Sequence, residues 1–175
     1  MGRVVLRCTA KLLSLLGARP RDLVTLEPSD HDWYANLLWL DGRKCLLLAH
    51  AGTLFSVFVA DIRKSDLMPL GPSVVRFIHN ELEAESFPLD RLGALDPGSI
   101  DLAKTESRTV LGYMNEMVRF CGYAVAHTGL ARCDARELSR ELRRELHLSR
   151  RAPRYFVAIE LAGGSSDRPP LRVLH

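Results

Sequence analysis

Apolar positions recur with two different periods along the chain, and the changes of period mark its elements. Val4–Cys8 reads as a short strand that runs into a helix over Ala10–Leu16. Thr9 is placed to cap that helix, Leu12, Leu13, Leu15 and Leu16 form its apolar face, and Gly17 stops it. Ala18 to Asp32 carries two prolines, Ser29-Asp30 and mixed charge, so it reads as an irregular excursion. Trp33–Leu40 and Arg43–His50 then flank Asp41-Gly42, the strongest short-range signal for a hairpin. Thr53–Ala60 supplies a third strand, which completes an antiparallel meander. Its strands are apolar at many successive positions, which predicts cover on both faces of the sheet.

Helical spacing dominates the second half. Pro72 suits a first helical turn, and Val74, Val75, Phe77, Ile78 and Leu82 follow at the right intervals. Phe87 to Gly98 is loop-like, and Ser99–Ala103 reads as a short strand. Ser107 can cap a helix to about Ala126, with Val110, Leu111, Met114, Met117, Val118 and Cys121 on its buried stripe. Asp134 caps a helix expected to reach about His147, carrying Leu138, Leu142 and Leu146 four residues apart. Tyr155–Leu161 reads as a closing strand. The run from Gly163, with Gly-Gly-Ser-Ser and two prolines, reads as a flexible tail over 163–175. The expectation is therefore a single α+β domain over 1–162, a mostly antiparallel sheet with a central three-stranded meander packed by three to four helices.

Composition narrows the class. The 175 residues are 47% hydrophobic and 26% charged, close to an ordinary globular domain, which excludes disordered and fibrous readings. No apolar run approaches the roughly 18–20 residues of a membrane-spanning helix, and the start lacks a secretory signal, so no membrane partner is expected. Cys8, Cys45, Cys121 and Cys133 are widely spaced, with no metal-ligand or paired-thiol spacing, which fits a reducing cytoplasm.

The formal charge is only +3, but between Arg132 and Arg154 eight arginines face Asp134, Glu137, Glu141 and Glu145, a local excess of four positive charges. Arg136, Arg140, Arg143 and Arg144 are expected to cluster on one side of the helix, with Arg136, Arg140 and Arg144 the candidates for phosphate-backbone contact. No aromatic residues interleave them, so base stacking is not expected there. Lys104-Thr105-Glu106-Ser107-Arg108 joins a strand to a helix N-terminus, where free N–H groups, two cations and two hydroxyls suit a phosphate. His79 and Glu83 sit four apart but lack a third ligand, and Glu81 and Glu85 read with them as a solvated acidic face. No metal and no cofactor are predicted. Asp30-His31-Asp32 reads as turn chemistry.

The motifs Leu6-Arg7-Cys8-Thr9-Ala-Lys11-Leu12-Leu13, Asp32-Trp33-Tyr34-Ala35-Asn36-Leu37-Leu38 and Ala103-Lys104-Thr105-Glu-Ser107-Arg108, with Met114-Asn115, resemble a bacterial family of unknown function. The same segments resemble those of plasmid- and transposon-associated proteins. The resemblance implies a bacterial cytoplasmic protein linked to mobile elements, and it brings no activity. Thr9 and Asn36 are polar residues near strand ends that are expected to share one edge of the sheet with Lys104, Thr105 and Arg108. The leading reading is a nucleic-acid-associated accessory protein. The alternatives are an enzyme acting on RNA or a nucleotide, such as a toxin-like nuclease with His50 or His79 as base, and a module that binds a protein partner or itself.

Overall fold

In the computed structural model, residues 3–148 and 155–164 are described. Apolar strands that alternate between two covered faces build a five-stranded sheet in the order β4-β3-β2-β1-β5. The strands are β1 (Val4–Cys8), β2 (Trp33–Leu40), β3 (Arg43–His50), β4 (Ser56–Val59) and β5 (Ile100–Lys104). The helices are α1 (Ala10–Leu16), α2 (Leu70–Ala84), α3 (Arg108–Thr128), α4 (Ala135–Arg144) and the short α5 (Ala158–Gly163). A separate hairpin pairs β6 (Leu146–Leu148) with β7 (Tyr155–Val157).

The expected meander is present. At its tip Asp41 and Gly42 have φ of 51° and 71°, the doubly positive pair that a two-residue hairpin turn demands. β1 pairs in parallel with both β2 and β5, so the sheet of this α+β domain is mixed rather than purely antiparallel. The reason is connectivity. The chain after β1 runs through α1 and the excursion before it re-enters as β2, and only such a crossover can place neighbouring strands in parallel. β1 has no free edge, and four of its five residues are buried.

Alternation sorts the core into two halves. Leu6, Cys8, Trp33, Ala35, Leu37, Leu46, Leu48 and Val57 face α1 and α2. Tyr34, Leu38, Cys45, Leu47, Ala49 and Phe58 face α3 and α4. Cover on both faces is why the strands read as nearly continuous apolar runs. Cys8, Cys45 and Cys121 are packed as small hydrophobes, and burial pushes the Cys8 and Cys121 thiols up to about 12.

Three expectations need correction. The last long helix stops at Arg144, because Glu145 turns the backbone into extended geometry, and Leu146 therefore belongs to β6 rather than to a third step of the leucine stripe. The closing strand ends at Val157, where Ala158-Ile-Glu-Leu-Ala takes up a helical turn instead. Arg143 does not join the exposed arginines of α4. It lies on the buried side with Leu138, Ser139 and Leu142. The expected tail over 163–175 falls almost wholly outside the described residues, as do Arg150, Arg151 and Arg154. No helix of the described residues is long and apolar enough to cross a membrane.

Arg143 closes one edge of the sheet. Its Nη1 donates to the Ser56 carbonyl and to Glu81, both at 2.9 Å, its Nη2 donates to Glu85 at 2.8 Å, and its guanidinium lies 4.7 Å from the centre of the Phe55 ring. Beside it Ser139 Oγ accepts from the Phe58 N–H at 2.8 Å. Ser56 and Phe58 are alternate residues of the outermost strand, so side chains of α4 take up hydrogen bonds that the edge would otherwise offer to another chain. Glu81 and Glu85, expected on a solvated face, are thus held in this network. Hydrogen bonds from Arg144 and then Arg143 bring the Glu85 carboxyl down to about 2. Arg143→Met removes the cation and leaves two carboxylates facing an apolar wall, so it should destabilise the domain by about 3–5 kcal/mol. Urea unfolding of the two proteins at pH 7 measures the difference, and a loss below about 1 kcal/mol contradicts the structural role given to Arg143.

Candidate functional site

The three parallel strands β2, β1 and β5 point their carboxyl ends in one direction. Cys8 lies level with Ala35 on one side and Lys104 on the other. Beyond Cys8 the chain enters α1 on one face of the sheet, and beyond Lys104 it enters α3 on the opposite face. Adjacent parallel strands whose connections leave to opposite faces open a crevice at their carboxyl ends, where α/β sheets characteristically bind ligands.

Polar side chains occupy that end. The Thr9 hydroxyl donates to Asn36 Oδ1 at 3.1 Å, and Thr9 makes no side-chain cap on α1 although it holds the N-cap position. Ser107 does cap α3, its Oγ accepting from the Val110 N–H at 3.3 Å. The Ser107 N–H donates to the Tyr34 hydroxyl at 3.2 Å, which ties the start of α3 to β2. Burial raises the Tyr34 pKa, against the opposing pull of the Ser107 hydrogen bond and the Arg7 charge. Lys104 and Arg108 are exposed and Thr105 half-buried. Among the described residues neither cation has an ion pair. The structure therefore brings Thr9, Lys104, Thr105, Ser107 and Arg108 to the carboxyl ends of β1 and β5 and the start of α3, with Asn36, midway along β2, hydrogen-bonded to Thr9.

Arg7, which sequence reasoning missed as a positioning residue, holds this corner from beneath. It is fully buried, donates through Nε to Asp32 at 2.5 Å, through Nη2 to the Leu26 carbonyl at 2.7 Å and through Nη1 to the Lys104 carbonyl at 3.3 Å. Asp32 also accepts from the Ser29 N–H at 3.0 Å, so the expected turn chemistry exists but serves a buried ion pair. The signal was present: a lone charge inside the apolar run Val4–Cys8 must find a partner.

The other predicted residues lie on α4 and are not brought into that corner by any hydrogen bond or ion pair among the described residues. Arg136, Arg140 and Arg144 are exposed at four-residue intervals. Arg140 lies 4.0 Å from Glu137, and Arg144 Nη2 donates to Glu85 at 2.7 Å. Arg140 and Arg144 line a groove of about 550 Å³ with Phe120, Glu137, Glu141 and Glu145. Three carboxylates against two guanidinium groups give that groove no positive excess.

A family model described as a domain of unknown function, DUF6933, matches residues 5–161. The chain belongs to the DUF6933 family. The matched span takes in the sheet from Val5 onward and the whole strand-end corner, in agreement with the resemblance to a family of unknown function. No curated protein and no solved structure matches the chain.

The histidines of this DUF6933 chain are differently placed. His79 is half-buried on α2 and Glu83 is exposed, and among the described residues no three His, Cys, Asp or Glu side chains are grouped to hold a metal. His147 is buried between the rings of Tyr113 and Phe156, with Nδ1 3.6 Å from Glu116. His50 is buried opposite Trp33, ring centres 5.2 Å apart, with Nδ1 3.0 Å from the Thr53 hydroxyl. Burial, with His31 nearby, pulls its pKa from 6.5 down to about 4. The unfolded chain thus takes up this proton before the folded one does. Stability present above pH 6.5 is lost as the pH falls towards 4, by about 3 kcal/mol in full. Unfolding free energies at pH 7 and pH 4.5 should show a smaller acid loss in His50→Gln than in the wild type. Equal losses in both proteins contradict a neutral, buried His50.

Proposed function

We propose that the protein is a bacterial, cytoplasmic, nucleic-acid-associated binding protein, an accessory factor of a mobile element that holds phosphodiester groups at the carboxyl ends of its parallel strands. One observation carries the reading. The register that sets Cys8 between Ala35 and Lys104 puts three hydroxyls, an amide and two cations around the point where the chain leaves to opposite faces. Lys104 and Arg108 supply charge, while Thr105, Ser107, Thr9 and Asn36 supply hydrogen-bonding groups that suit phosphate oxygens. Free, buried thiols fit a reducing compartment.

The alternatives draw less support. A nuclease needs a histidine and a cation meeting in one cleft, whereas His50 is buried against Thr53 and the Trp33 ring, and neither His50 nor the half-buried His79 has a hydrogen bond to a cation among the described residues. A protein-docking helix or sheet edge needs free apolar or backbone surface, whereas Leu138 and Leu142 are buried in the chain's own core and α4 occupies the β4 edge.

Fluorescence anisotropy of labelled RNA and DNA across a salt series tests this. Binding should weaken steeply with salt, and Lys104→Ala/Arg108→Ala should lower the log–log slope by about two, one per lost phosphate contact. Arg136→Ala/Arg140→Ala should change it less. Failure of both polymers to bind at low salt overturns the proposal.

A further inference from the structure

β2 outruns its parallel neighbour. Ala35 lies level with Cys8, and the hairpin continues to Leu40, so Trp39 stands four residues, about 13 Å, beyond the end of β1. Alternation places Trp39 on the same face as Trp33, Ala35 and Leu37, which are buried, yet Trp39 itself is 58% exposed. Lys44, its cross-strand partner, sets Nζ 4.8 Å from the ring centre. A large exposed indole on a short hairpin, with a cation against it, offers a flat face to solvent and is held in place by its own strand register. Ile100 and Leu102 belong to the core half on this face, so alternation puts the Lys104 side chain on the same side of the sheet.

Resting on the phosphate-binding reading above, we propose that the end of the β2–β3 hairpin is a stacking platform for an unpaired base of single-stranded nucleic acid. The flanking phosphates lie on Lys104 and Arg108. Lys11, in the first turn of α1 directly after β1, adds a third exposed cation at this end. None of Lys11, Lys44, Lys104 and Arg108 has an ion pair among the described residues, and Arg43 at the hairpin tip is already matched by Asp61. This is the combination that binds single strands with little sequence preference: a run of cations for the backbone and an aromatic face for the bases. A duplex keeps its bases stacked on each other and gains nothing from the indole.

The two tryptophans make the test direct, since Trp33 is buried and Trp39 is exposed. The full chain is titrated with labelled dT12, rU12 and a 12-base-pair duplex, following anisotropy and tryptophan emission. Single strands should bind more tightly than duplex and quench the emission, and the quench should vanish in Trp39→Phe, whose remaining indole is Trp33. Trp39→Ala should weaken single-strand binding about ten-fold with duplex binding unchanged, and Trp39→Phe should retain most of the affinity. The DNA and RNA arms identify which sugar is preferred. Equal binding of single strand and duplex, or single-strand binding that Trp39→Ala leaves intact, overturns the platform while the phosphate corner stands. Absence of binding to every polymer at low salt overturns both.

Discussion

A guanidinium with no exposed surface has to find its hydrogen bonds inside the protein, and the three partners that Arg7 finds organise the architecture around it. Asp32 ends the excursion after α1, Leu26 belongs to that excursion, and Lys104 ends β5. One side chain in the middle of β1 therefore fixes where the irregular segment lies and how the last parallel strand finishes. An isolated buried cation would cost several kcal/mol, so the excursion must close over it in one arrangement. The Lys104–Arg108 segment leaves the sheet from a carbonyl that Arg7 holds. The geometry of the candidate site is set from the core outward.

Arg143 answers the same demand at the opposite margin. It satisfies the outer carbonyl of β4 and binds the carboxylates of Glu81 in α2 and of Glu85 at the C-cap of α2, while Ser139 completes the edge. At the other margin the Val24 N–H donates to the Leu102 carbonyl at 2.8 Å, so the excursion partly covers β5. With helices on both faces and both margins occupied, the strand ends are where backbone and polar side chains meet solvent. That is the physical reason to look for binding at the carboxyl ends of β1, β2 and β5.

Local chemistry was legible in the sequence. The Asp41-Gly42 turn, the caps at Ser107 and Asp134 and the doubly covered meander follow from turn residues and periodicity, which act within a few positions. The parallel placement of β1 was not legible, because strand order depends on contacts between Val4–Cys8 and Ile100–Lys104, nearly a hundred residues apart. Arg143 was read with its helical neighbours because a helix of arginines and glutamates looks alike on several sides, and only Phe55, Glu81 and Glu85 decide which side is inside. For the candidate site, strand-end polarity singled out Thr9, Asn36 and the Lys104–Arg108 segment as candidates. It gave no hint of Trp39, since alternation alone assigns that residue to the buried face. Its exposure follows from the hairpin reaching beyond the parallel strands.

The central claim is that the carboxyl end of the parallel strands, and not the arginine-rich helix α4, contacts the ligand. Backbone amide chemical shifts of the ¹⁵N-labelled protein, recorded on addition of a short oligonucleotide, test it most directly. The account predicts that the perturbed amides cluster at Thr9–Lys11, Asn36 and Lys104–Arg108. Shifts confined to Ala135–Arg144, with the strand ends unmoved, would contradict it.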